Sequence, residues 1–202
     1  MQHKPFGFEK PAQQALAVFR RHLWRLLVYP AMAAVGFATP ALWGDVSQPA
    51  AWAMLAWTAL WAADAVHVAV GRPDARGALL AGVWLFAWAL AIDAAWRAVG
   101  VAPEGVWSVH RHATLVAIGL NALAPLPWFV ACALIHGHRP SVGAKQAWAW
   151  WRAGPWRWAI GPALALIWAG LYLLLGPLAS VVAVAGSAAF WSAAWSETGL
   201  WR

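Results

Sequence analysis

The sequence predicts an all-α membrane protein, a six-span helical bundle with basic, Trp-rich interfacial helices before spans one and five. Three observations lead there. Of the 202 residues, 63% are hydrophobic and 10% charged, against roughly a quarter charged in soluble globular chains. The apolar residues fall in runs of about 20, the length a helix needs to cross a hydrocarbon core of roughly 30 Å. Lys and Arg gather at the ends of those runs. In a soluble protein the net charge of +7 would point to nucleic acid. Here the positive-inside rule accounts for it, and nucleic acid is not an expected partner.

The chain reads as one integral membrane domain, 1–202, in three parts: 13–70, 71–138 and 139–202. Residues 1–12 are polar and hold two prolines. From Gln13, Leu16, Phe19, Leu23 and Leu26 recur at helical spacing while Gln13, Arg20, Arg21 and Arg25 crowd the other side. That pattern is an amphipathic helix lying in the membrane interface. It feeds a first span, about Leu26–Trp43, expected to stay uncleaved because further apolar runs follow. Span two is about Ala50–Val70, and the polar loop Gly71–Gly77 leads to span three, about Ala78–Trp96. The loop Ala98–Val109 precedes span four. After it, the basic, Trp-rich stretch from Arg139 to Trp158 is a second interfacial segment. Span five is about Ala159–Leu175, and Ala179–Trp195, 17 residues long, is the sixth. Without that short run the count is five.

Span four is the centre of this organisation. It lies between His110-Arg111-His112 and His136-Gly137-His138, with 23 uncharged residues from Ala113 to Ile135. Mid-span stand Asn121, Pro125 and Pro127. A proline at 125 cannot donate to the carbonyl of Asn121, and lipid offers no substitute donor. The helix is therefore expected to kink at Pro125 and to bury Asn121 among other helices.

Charge then orients the bundle. With six spans and both termini cytoplasmic, twelve of the 14 Lys and Arg residues face the cytoplasm; Arg97 and Arg111 face outward. This places the chain in a bacterial-type cytoplasmic (inner) membrane. An internal similarity accompanies the asymmetry: Gln14–Ala31 set over Gln146–Ala163 gives eight identities in 18, among them Arg20/Arg152, Trp24/Trp156, Arg25/Arg157 and Pro30/Pro162. Read as duplication, it makes a parallel repeat of the kind transporters use; read as convergence, any cytoplasmic segment approaching a membrane selects Arg and Trp.

Few side chains offer chemistry. Asp64 and His67, three apart within span two, could relay a proton or present an imidazole to a metal or haem. With Arg72 nearby they also make a local ion pair that holds the helix end, and that structural reading is preferred. Asp93 and Arg97 form an i, i+4 pair in the favourable order. The two His-x-His triplets lie on opposite sides of the membrane, and within a helix neighbours two apart point about 200° apart. His67 and His136, both near the cytoplasmic ends of their spans, could hold a single haem, but the outer side offers no second pair, and neither metal nor cofactor is expected. Many of the 19 tryptophans, Trp148, Trp150, Trp156, Trp158 and Trp195 among them, fall near expected interfaces. Trp57/Trp61 and Trp84/Trp88 are i, i+4 pairs within spans, suited to packing against lipid or a neighbouring helix. Cys132 reads as a small core residue.

There is no phosphate-binding glycine loop, HExxH or GxSxG motif, so catalysis is not expected. Beyond the lipid bilayer, the expected partners are other integral membrane proteins: a subunit, scaffold or accessory factor of a larger assembly. The alternative is a small proton- or ion-coupled transporter or channel working as a homo-oligomer. Asp64, His67, Asp93, Arg97, Asn121 and Pro125 are the intramembrane polar or helix-breaking positions on which either reading turns.

Overall fold

The computed structural model of the chain describes residues 75–100, 108–175 and 178–198, together with Gln13, Leu16 and Arg20, which are helical and exposed. The expected first and second spans, with Asp64 and His67, lie outside the described residues. Among the described residues the fold is all helical. In chain order the helices are α1 (Ala75–Ala98), α2 (Ser108–Ala122), α3 (Leu126–Ile135), α4 (Pro140–Arg152), α5 (Arg157–Leu175) and α6 (Leu178–Glu197). Two are long and apolar enough to cross a membrane, α1 over Arg76–Ala98 and α5 over Arg157–Leu175. The pair α2–α3 makes a third if it is counted as one span. The run expected as the sixth span lies within α6, which extends to 20 residues.

Helix α1 shows why the bundle forms. Gly77, Ala81, Leu85, Ala89 and Ile92 are buried at a spacing of three or four residues, while Leu79, Leu80 and Val83 are exposed. A stripe of alternating small and large side chains at that spacing is a ridge that neighbouring helices can straddle. Two helices do so, in a single antiparallel register. Trp96 donates through Nε1 to the Leu115 carbonyl at 3.2 Å, and Ile92 lies against Gly119. Further back, Trp84 donates to the Pro127 carbonyl at 3.0 Å, and Gly77 lies against Leu134 and Ile135. The later half of α1 thus packs on α2 and its earlier half on α3.

The segment expected as one kinked span is two helices bent by 89°. Prolines explain where it breaks. The last turn of α2 tightens, with Leu123 N–H donating to Gly119 and Ala124 N–H to Asn121. Pro125 and Pro127 then occupy positions at the start of α3, where a new helix has no acceptor for their missing N–H groups. The expected orphan, the Asn121 carbonyl, is accordingly satisfied by Ala124 and not by another helix. At its far end α3 closes with Gly137 at φ +74°, His138 N–H donating to Ala133 and Gly137 N–H to Leu134. This is a glycine-terminated helix end, and it turns the chain back so that α4 packs along α3.

Glycines set the closest approaches. A methyl group on Gly143 of α4 would sit 2.5 Å from Val130 Cα of α3, and one on Gly161 of α5 would sit 2.5 Å from the Asn121 carbonyl oxygen of α2. Both obstacles are backbone, which no rotamer change removes. Gly170 of α5, by contrast, faces open space. Gly143→Ala is therefore expected to destabilise the folded protein by about 1–3 kcal/mol. Gly170→Ala should be neutral or stabilise it by up to roughly 1 kcal/mol. Equilibrium unfolding in mild detergent checks both, and equal effects would refute this packing.

Candidate functional site

The polar centre of the described bundle is at the bend. Asn121, the last-but-one residue of α2, is fully buried, as is Ser187 of α6. The Asn121 amide Nδ2 donates to the Ala117 carbonyl one turn back and to Ser187 Oγ, each at 2.8 Å. Trp191 Nε1 of α6 donates to Asn121 Oδ1 at 3.0 Å. Ser187 and Trp191 are four residues apart and so share a face of α6, which is the face that meets α2. Both donors of the amide and its oxygen are engaged in this cluster. In surroundings this apolar, an amide whose polar atoms all have partners holds helices together.

Trp191 also joins the junction to an aromatic core. Phe129 of α3 makes edge contacts with Trp150 of α4 and with Trp191 and Trp195 of α6, at centroid distances of 6.3, 6.4 and 5.5 Å. Trp150 and Trp191 meet edge-on at 5.6 Å. These are the geometries that aromatic quadrupoles favour. Trp150 and Trp195, expected in the interfacial belt, are instead core residues, 3% and 2% exposed. Trp148, Trp156 and Trp158, expected in the same belt, are about half exposed. Cys132 is buried as expected, its Sγ 3.8 Å from Ser192 Oγ.

Of the other described candidates, Asp93 and Arg97 lie apart from this junction and Pro125 lies beside it. Asp93 and Arg97 form the expected pair, Arg97 Nε donating to Asp93 Oδ2 at 2.8 Å. It lies on α1, with Asp93 buried and Arg97 half-buried. Pro125 is buried at the bend itself. Trp84 and Trp88 meet edge-on at 6.0 Å, and the hydrogen bond of Trp84 to Pro127 makes this a contact with α3. His136 and His138 stack at 6.4 Å between centroids, across the turn at Gly137. Among the described residues no three His, Cys, Asp or Glu side chains come together as a metal site would require. Sequence reasoning singled out Asn121 but not its partners; Ser187 and Trp191 sit in a helix apolar on every side, where periodicity marks no face.

No protein-family model matches the chain, and the comparisons find no similar curated protein and no similar solved structure.

Replacing Asn121 by Leu leaves the Trp191 indole N–H and the Ser187 hydroxyl buried without their amide partner. Each loss costs about 1–3 kcal/mol in a protein interior and about 0.6 kcal/mol on average in a membrane bundle. Asn121→Leu should thus destabilise by about 1–3 kcal/mol. Trp191→Phe should then cost measurably less in the Asn121→Leu background than alone. Additive effects in that double-mutant cycle would show that the two side chains are not coupled.

Proposed function

We propose that this chain is a non-catalytic, multi-pass protein of a bacterial-type cytoplasmic membrane, acting as a subunit, scaffold or accessory factor of a larger membrane protein assembly. The observation that carries the proposal is the use made of the buried polar groups. Asn121 is engaged with Ala117, Ser187 and Trp191, and Asp93 with Arg97. A residue that binds or relays a solute must keep polar atoms for it; those of Asn121 are given to its own helix and to α6, and Asp93 Oδ2 to Arg97 on the same helix. Close glycine contacts and an aromatic core point the same way, to a bundle built for fixed packing.

The topology that goes with this reading is the six-span bundle with cytoplasmic termini. The register along α1 supports its fourth span. Trp96 meets Leu115, and Gly77 meets Leu134 and Ile135; along α1 those contacts are about 28 Å apart at roughly 1.5 Å per residue. The bent pair follows α1 in one direction over most of its length, whereas the ends of a re-entrant loop return to one side, which favours a broken span over a re-entrant loop. In that topology twelve of the 14 cations fall on the cytoplasmic side, which favours this orientation.

The alternative, an oligomeric transporter or channel, rests on Asp64 and His67. Purification in mild detergent followed by mass spectrometry separates the two. The proposal expects a foreign integral membrane protein at a fixed stoichiometry. A homo-oligomer without foreign chains, carrying a pH- or ion-dependent flux in proteoliposomes that Asp64→Asn abolishes, would contradict it.

A further inference from the structure

The elbow between α4 and α5 carries a second constellation, which the packing of the bundle leaves exposed. Lys145, Trp148 and Arg152 follow one another on the outer face of α4, opposite the buried Gly143, Gln146, Ala147 and Trp150. The Arg152 guanidinium lies 4.9 Å over the Trp148 ring. Trp158, at the head of α5, stacks on Trp151 at 4.7 Å and meets Trp148 edge-on at 6.3 Å. A guanidinium lying on an indole keeps its N–H edges available to an anion's oxygens, while the ring compensates its charge from below.

Charge and polarity change from the elbow along α5. From Arg139 to Leu175 the chain has four cations, Arg139, Lys145, Arg152 and Arg157, and no carboxylate. Trp148, Trp156 and Trp158 are 47%, 49% and 51% exposed, and further along α5 Leu166, Leu173 and Leu174 are 73%, 85% and 80% exposed. Cations and half-exposed indoles at the elbow, followed by exposed aliphatics along α5, match the headgroup, interfacial and acyl regions of a bilayer that α5 enters at the elbow.

We infer that the α4–α5 elbow binds the headgroups of anionic phospholipids, their phosphates meeting Lys145 and Arg152 above the Trp148–Trp158 ring contact. An acidic protein or a nucleic acid would complement the cations but leave the adjoining aliphatic face of α5 without a partner. The inference rests on α5 crossing the membrane, though not on what the chain assembles with.

Native mass spectrometry of the full chain in mild detergent, titrated with phosphatidylglycerol or phosphatidylcholine, tests it. The wild type should retain phosphatidylglycerol selectively, and added NaCl should weaken that lipid and not the zwitterionic one. A cation near an anionic headgroup contributes about fivefold in affinity, so Lys145→Gln with Arg152→Gln should weaken phosphatidylglycerol about 30-fold and leave phosphatidylcholine unchanged. Equal retention of the two lipids by the wild type would overturn the inference, as would undiminished phosphatidylglycerol binding by the double variant, or its displacement by polyglutamate. The wild-type selectivity and salt comparison decides the matter if the variant does not fold. A wild type that binds neither lipid and stays soluble without detergent would overturn the membrane reading as well.

Discussion

An amide buried among apolar helices must find all its hydrogen-bond partners inside the protein, and the arrangement around Asn121 follows from that requirement. Its three bonds reach one turn back along α2 and across to two residues of α6. The same tryptophan that donates to the amide packs against Phe129 and Trp150, so the junction reaches α3 and α4 as well. Gly161 brings α5 against the Asn121 carbonyl, so close that an added methyl would collide with it. Through its side chain, its backbone carbonyl and its partner Trp191, Asn121 is therefore linked to α3, α4, α5 and α6.

The bend depends on the same site. Prolines at 125 and 127 remove donors where a continuous helix would need them and where a new helix would not. That fixes the position of the break, but not its angle. The angle of 89° is held by what packs on each arm: α5 along α2, α4 along α3, and α1 along both in one register. The closest of these approaches, at Gly77, Gly143 and Gly161, bring backbone against backbone, so the arms cannot rotate without separating helices.

Some of this was legible in the sequence, and the reason differs from place to place. Uncharged runs marked the positions of α1, α5 and α6, because length and the absence of charge are sufficient signals for an apolar helix. Pro125 marked the break and Asn121 the buried polar group, since each is costly anywhere else in such a run. The partners of Asn121 were not legible: α6 is apolar on every side, and nothing in its spacing distinguishes the face with Ser187 and Trp191. Nor was the burial of Trp150 and Trp195. A tryptophan near the end of an apolar run suits the lipid interface and the protein interior equally well, and the choice is made by the aromatic neighbours from distant segments that surround it. Asp93 with Arg97, a pair within one helix, needed no such information.

If α1 and the bent pair α2–α3 both traverse the bilayer, the two ends of the pair face opposite sides, and this can be read from outside intact cells. With Cys132 replaced by Ala, single cysteines at Ser108, which opens α2, and at Ser141, which follows α3, are to be treated with a membrane-impermeant thiol reagent. A broken span in the proposed orientation predicts labelling at 108 and none at 141 until the membrane is permeabilised. Labelling of both from the same side would make α2–α3 a re-entrant loop and contradict the account; labelling of 141 alone would invert the orientation.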